Sequence, residues 1–280
     1  MEIRYGASPR DFERYNTQEI RGEFLIDNLF EQDTVKLTYS HIDRMLVASC
    51  MPVSGDVPLE KGMDVWACLG THSFLERREM GVFNLGGEGE IEADGQVYRM
   101  ARKDCLYLTM GTGNVVFRSL DASRPAQFYG VSAPAHRACK TRQIRIKDAA
   151  SRRLGESKCA NVRTIYQFIH PDVVETCQLT MGMTSLEEGS VWNTMPCHTH
   201  ERRMEIYLYI DVPEDGAVVH LMGRPTQTRH LMLGDKQAVI SPSWSIHSAC
   251  ATSCYSFIWA MGGENQAFDD MDAVPAAALR

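Results

Sequence analysis

Residues 193–209 read NTMPCHTHERRMEIYLY, and no other stretch constrains this chain as strongly. It places His198 and His200 on either side of one residue, with Glu205 five residues after His200. The flanks are rich in β-branched, aromatic and apolar residues, which predicts strand. Residues two apart on a strand project from one face, so His198 and His200 point together. Glu205 has the opposite parity. A bulge or tight turn around residues 201–203 is therefore expected, to bring its carboxylate back to the same side. Two imidazoles and a carboxylate make most of a divalent-metal site, and the fourth ligand has to come from elsewhere. Cys197 adjoins His198 but faces the other way on a strand, so it is left out. Downstream, residues 234–247 read GDKQAVISPSWSIH. Gly234-Asp235 reads as a turn, Gln237–Ser241 as a short strand and Pro242–Ser245 as another turn. His247 then opens an apolar run ending in Phe257-Ile258-Trp259, and it is the candidate fourth ligand.

The pattern HxH(x)4E, followed about forty residues later by PxxxxH, resembles the paired metal motifs of the cupin barrels. Three positions depart from that pattern. Val212 and Trp244 stand where glycines are usual, and Ala251 where an asparagine is usual. These departures touch loop geometry and leave the four ligands in place.

Composition narrows the partners. The chain has 280 residues, 44% of them hydrophobic and 23% charged, ordinary globular values with room for a sizeable core. A net charge of −7 argues against a nucleic-acid partner and against an anionic membrane surface. An anionic small-molecule substrate has to be met by local arginines instead. The nine cysteines are an odd number with no CxxC, which suits reduced thiols in a cytoplasmic protein. The first thirty residues hold no apolar signal-like run, and no apolar run approaches the length of a membrane span.

Along the chain, Asn16-Thr17-Gln18-Glu19 has the form of a capping box, with Ile20, Phe24 and Leu25 on one side of a short helix. From Thr34 the pattern changes to short strands: Val35–Tyr39, Met45–Pro52, Gly81–Gly89, Ile91–Tyr98, Asp104–Leu108 and Val115–Leu120. Asp94-Gly95 predicts a two-residue hairpin turn. Residues 133–162 lose the strand pattern and turn basic. They read as a connection, with 148–154 as a helix. Strands resume at Thr164–Ile169 and run to about Met261. A faint repeat is visible. Glu76-Arg77-Arg78 recurs as Glu201-Arg202-Arg203, each followed by an apolar strand, and Asp104…Gly111 recurs as Asp235…Pro242. The expected fold is therefore mainly β: two tandem cupin-type jelly-roll β-barrels with few short helices. The boundaries read as an N-terminal barrel at 1–135, a connection at 136–162 and a C-terminal barrel at 163–280. Ser73, Leu75 and Val116 occupy the first barrel's positions for His198, His200 and His247, so only the second barrel keeps the ligands. His72 stands alone.

Longer segments carry a more specific resemblance. They are YSHIDR at 39–44, FLERREMG at 74–81, WNTMPCHTHERRME at 192–205, TRH at 228–230, ISPSWSIHS at 240–248 and GENQAFDDMD at 263–272. Together they resemble the 5-dehydro-4-deoxy-D-glucuronate isomerase (4-deoxy-L-threo-5-hexosulose-uronate ketol-isomerase) family, bicupins of pectin and uronate breakdown. The resemblance implies a zinc ion (Zn2+), one per chain, on His198, His200, Glu205 and His247, with another divalent ion, a six-coordinate Mn2+, Fe2+ or Ni2+, as the alternative. It also implies a cytoplasmic homohexamer acting on a small uronate, with no nucleic-acid or membrane partner. The implied reaction is an intramolecular oxidation–reduction. It converts 5-dehydro-4-deoxy-D-glucuronate to 3-deoxy-D-glycero-2,5-hexodiulosonate, by moving the C1 aldehyde to a C2 ketone through a metal-stabilised enediolate.

Such chemistry needs a proton carrier, and Glu201, Tyr207, His230 and Glu264 are the candidates. The substrate carboxylate calls for a guanidinium fork, with Arg163, Arg202, Arg203 and Arg229 as candidates. Trp192, Trp244 and Trp259 read as barrel wall rather than as a sugar-stacking platform. Two alternatives are a cupin oxygenase and a non-catalytic sugar-binding cupin. The first would more often show three protein ligands. The second would usually carry a basic DNA-reading segment, which this chain lacks.

Overall fold

A computed structural model describes residues 1–280. The chain divides into two compact units. One comprises residues 1–4, 28–150 and 168–180; the other comprises 5–27, 151–167 and 181–280. Strands dominate, and the α-helices are the short Pro9–Phe12, Thr17–Phe24 and Val65–Leu69. No helix is long and apolar enough to cross a membrane.

In the first unit a seven-stranded sheet runs in the order Glu2–Arg4, Val35–Ser40, Leu46–Cys50, Phe128–Pro134, Arg78–Asn84, Cys105–Leu108, Arg142–Ile144. A four-stranded sheet, Val57–Pro58, Val115–Ser119, Gly89–Ala93, Gln96–Met100, supplies the opposing layer. Alternating inward residues of both sheets make one core, in which Leu46, Met80, Val82 and Leu106 meet Ile91, Val115 and Phe117. The hairpin joining Gly89–Ala93 to Gln96–Met100 turns at Asp94 and Gly95, both at positive φ (48° and 81°), as a tight primed turn requires.

The second unit repeats this plan. Its seven-stranded sheet runs Ala150–Leu154, Arg163–Ile169, Thr180–Leu186, Ser256–Gly263, Arg203–Ile210, Gln237–Ser241, Leu25–Ile26. Gln227–Leu233, Val218–Arg224 and Ile246–Ala251 form the smaller sheet. Arg78–Asn84 and Arg203–Ile210 hold the same place in their sheets. Arg78 N donates to Leu75 O (3.4 Å), as Arg203 N does to His200 O (3.1 Å). The register aligns Met80 with Glu205, since Met80 pairs with Leu108 and Ser132 while Glu205 pairs with Ser241 and Met261.

Two segments differ from the sequence expectation. Residues 5–27 pack into the second core, where Phe12, Ile20, Phe24 and Leu25 join Tyr207, Tyr209 and Trp259. Asn16 caps that helix as expected, accepting from Gln18 N (2.9 Å) and Glu19 N (3.1 Å). Phe12 and Phe24 meet Trp244 edge-on at 5.3 and 6.4 Å. The apolar face of a short helix is worth little until something covers it, and here the second sheet pair does so. Residues 133–162 are not one connection. Arg142–Ile144 pairs with Cys105–Leu108 in the first sheet, and Ala150–Leu154 is an edge strand of the second. The helix expected at 148–154 is absent; a 3-10 turn at Ile146–Asp148 precedes the strand. Strand residues 150–153 are exposed, so no apolar alternation marked them in the sequence.

Candidate metal centre

Three elements of the second unit bring four side chains together. His198 lies on the short strand His198–Thr199, His200 enters the turn that follows, and Glu205 and His247 face inward from Arg203–Ile210 and Ile246–Ala251. The turn at residues 201–202 resets the parity, and the Glu205 carboxylate joins the imidazoles. One donor atom from each of the four falls within 4.8 Å of the others. Glu205 Oε2 lies 3.1 Å from His200 Nε2 and 3.0 Å from His247 Nε2. His247 Nε2 lies 3.0 Å from His198 Nε2. Cys197 is buried and stands outside this group.

The protonation pattern suits a cation. His200 Nδ1 donates to Arg203 O (2.8 Å) and His247 Nδ1 to Ser245 O (3.3 Å), which turns both Nε2 lone pairs inward. Burial, reinforced by the neighbouring His247, holds the His198 pKa down to about 3, so its ring is neutral. Burial alone would push the Glu205 carboxyl up, but His247 and His200 hold it well below the usual carboxylate range. These close approaches put four donor atoms around one point. Three imidazole nitrogens and one carboxylate oxygen are a borderline donor set suited to zinc and its divalent neighbours. The residues present therefore fit a divalent ion.

The group opens on a cavity of about 240 Å³. Its wall includes His198, His200, Arg203, Glu205, Tyr207, Arg163 and Thr194, with Ile165, Phe257, Trp259, Met261, Phe268 and Met271 as the apolar part. Of the candidate proton carriers, Tyr207 lines it, its hydroxyl 3.2 Å from Thr194 Oγ1. Burial and the nearby Glu205 push the Tyr207 pKa well up, so the phenol stays protonated. Glu201, His230 and Glu264 are exposed and do not line the cavity. Of the candidate arginines, Arg163 and Arg203 line it. Arg202 is engaged by Asp270 (3.1 Å) and Asp272 (2.9 Å), and Arg229 donates to Glu13 O (3.1 Å). Trp259 belongs to the cavity wall; Trp192 and Trp244 do not.

The residues that sequence reasoning passed over are Thr194, Phe268 and Met271. Phe268 and Met271 arrive on a C-terminal strap. Arg202 fixes this strap through Asp270 and Asp272, and Asp272–Ala273 pairs with His198–Thr199. Phe268 packs on Trp259 at 5.4 Å between ring centroids. The segment GENQAFDDMD was visible as a motif, but nothing local showed that it folds back over the site.

Fold and site together define a two-unit, cupin-like β protein with one His3Glu cluster. Residues 32–275 match the KduI/IolB family, and the chain belongs to that family. It is 52% identical, over the whole of both chains, to a 4-deoxy-L-threo-5-hexosulose-uronate ketol-isomerase of Lachnospira eligens. A relative of the same name from Caldicellulosiruptor bescii is 50% identical, again over both full lengths. Among solved structures, an IolB-like protein from Salmonella typhimurium LT2 superposes with a TM-score of 0.69 at 13% identity, covering 87% of this chain and 94% of that one. The oxalate decarboxylase of Lactobacillus farciminis does so with a TM-score of 0.56 at 9% identity, covering 79% and 78%. At such identities these two likenesses speak to fold alone.

Proposed function

We propose that this chain is a metal-dependent aldose–ketose isomerase converting 5-dehydro-4-deoxy-D-glucuronate to 3-deoxy-D-glycero-2,5-hexodiulosonate. The observation that carries the reading is identity of about half the residues, end to end, with relatives named as that ketol-isomerase. The cavity supports it, because its polar groups suit an oxygen-rich, anionic small molecule. We assign His198, His200, Glu205 and His247 as the metal ligands, and zinc as the ion. When bound, the ion supplies Lewis-acid stabilisation of the charge that develops on the substrate's C1 and C2 oxygens. The chain's own part is proton handling and enclosure. Isomerisation must remove a proton from O2 and add one at O1, besides moving hydrogen from C2 to C1. The Tyr207 phenol, protonated and on the same strand face as Glu205, holds a proton at Oη for those oxygens. Phe257, Trp259, Phe268 and Met271 keep the cavity wall apolar, which strengthens each polar contact inside it. A place in pectin and uronate breakdown, a cytoplasmic location and a homohexameric state complete the reading; all three follow from the sequence resemblance. Proton NMR of purified protein with the substrate tests it. Loss of the C1 aldehyde signal with growth of a C1 hydroxymethyl signal is expected. An unchanged spectrum with metal-loaded protein would refute the proposal.

A further inference from the structure

Two guanidinium groups line the cavity, and they are not equivalent. Arg203 is 1% exposed and its Nη2 donates to Asp270 O (2.9 Å). The carboxylates of Glu205, Asp270 and Asp269 act on it with negative charge, while its Nε and Nη1 are buried without a hydrogen-bond partner. Nearby carboxylates offset part of its charge. Arg163 opens the strand Arg163–Ile169 and is half-buried. A single donor is engaged, Nη1 with Asn161 O at 2.8 Å. No carboxylate stands near enough to offset its charge. The acidic side chain beside it is the Tyr207 phenol, which also lines the cavity, and burial draws the Arg163 pKa down. A guanidinium cannot relieve this by losing its proton at neutral pH. It is a standing positive charge, facing a cavity, with no counter-ion from the protein. Its planar fork matches a carboxylate with two parallel hydrogen bonds.

We infer that Arg163 is the receptor for the substrate's carboxylate, so that the cavity selects a hydroxy acid whose oxygenated carbons turn toward the His–Glu cluster. This deepens the isomerase reading and rests on it for the identity of the substrate. Arg202, Arg203 and Arg229 are then structural: the first holds the strap through Asp270 and Asp272, the second bonds the strap's Asp270 carbonyl, and the third bonds the N-terminal segment.

The test compares D-gluconate with D-sorbitol, two six-carbon chains that differ in one carboxylate, by calorimetry on the metal-loaded full chain. Wild-type protein is expected to bind gluconate at least about tenfold more tightly, the scale of one charge-assisted contact. In Arg163→Gln the two should bind alike, with metal content and circular dichroism unchanged. Arg163→Lys, which keeps the charge and loses the fork, should retain part of the preference. A full gluconate preference in Arg163→Gln overturns the inference, as does its absence from wild-type protein. Should Arg163→Gln fail to fold, a full preference in Arg163→Lys overturns it equally. A wild-type protein without isomerase turnover, whose gluconate preference still disappears in Arg163→Gln, would remove the isomerase reading and support the anion receptor.

Discussion

Glu205, Tyr207 and Tyr209 leave the strand Arg203–Ile210 on one face, two residues apart, and all three are buried inside the second unit. Each carries a polar atom into a closed space, and each is answered there. Glu205 meets two imidazoles, Tyr207 meets Thr194, and Tyr209 meets His220 Nδ1 at 2.6 Å. Tyr207→Phe should keep the metal and the fold and lower kcat by about 100-fold, the usual size of a lost acid–base group. Metal analysis beside steady-state kinetics checks this, and an unchanged kcat would take Tyr207 out of the proton path. His220 gives a pH dependence. Burial holds its pKa at about 3 against the ordinary 6.5, so the folded protein keeps the ring neutral. The unfolded chain takes up the proton first as pH falls. The stability that His220 contributes is therefore complete above about pH 6.5 and is lost as pH falls toward about 3, at up to about 1.4 kcal/mol per pH unit. In His220→Phe the slope of unfolding free energy against pH should flatten between about pH 6 and pH 4. An unchanged slope would show that the ring is protonated in the fold.

Between strands, one close approach shapes the cavity wall. A Cβ at Gly182 would lie 2.1 Å from Trp259 Cζ2 and 2.5 Å from Tyr166 O. Only glycine leaves room for the Trp259 ring beside the strand Thr180–Leu186. Gly182→Ala is expected to cost on the order of 1–3 kcal/mol, as overpacked sites do, and to raise KM by displacing that ring. Urea unfolding and tryptophan fluorescence measure both effects; a wild-type midpoint and spectrum would show that the sheet yields freely. Elements also show what the sequence could reveal. HxH, the displaced Glu and the Pro-spaced His were legible because strand parity and turn chemistry are local. So was the Asp94-Gly95 hairpin. The strap carrying Phe268 and Met271 was not, because a return across the sheet leaves no periodic trace. The same holds for residues 5–27. Their capping box announced a helix, but not the sheet that covers it. Strand Ala150–Leu154 was hidden by its exposure, which left it with the polar composition of a loop.

Across the whole chain, the same strand order appears twice, but only one copy carries donors. The first unit sets Leu75 and Met80 where the second sets His200 and Glu205, and both are core residues there. Leu75 and Met80 offer no donor atom at the positions that His200 and Glu205 hold in the second unit. His72 lies outside the first unit's core, stacked on the exposed Trp66 at 5.3 Å. His72→Ala should therefore leave metal content unchanged, while His247→Ala should bring it well below one ion per chain with a β-type circular dichroism spectrum intact. A metal lost with His72 would contradict the reading of a silent first unit. The most direct test of the account joins site, stoichiometry and reaction in one titration. Protein stripped of metal and returned to Zn2+ in small steps should be inactive at first. Its conversion of 5-dehydro-4-deoxy-D-glucuronate should then rise linearly and stop rising at one equivalent per chain. Full turnover without metal, or a rise continuing to two equivalents, would contradict it.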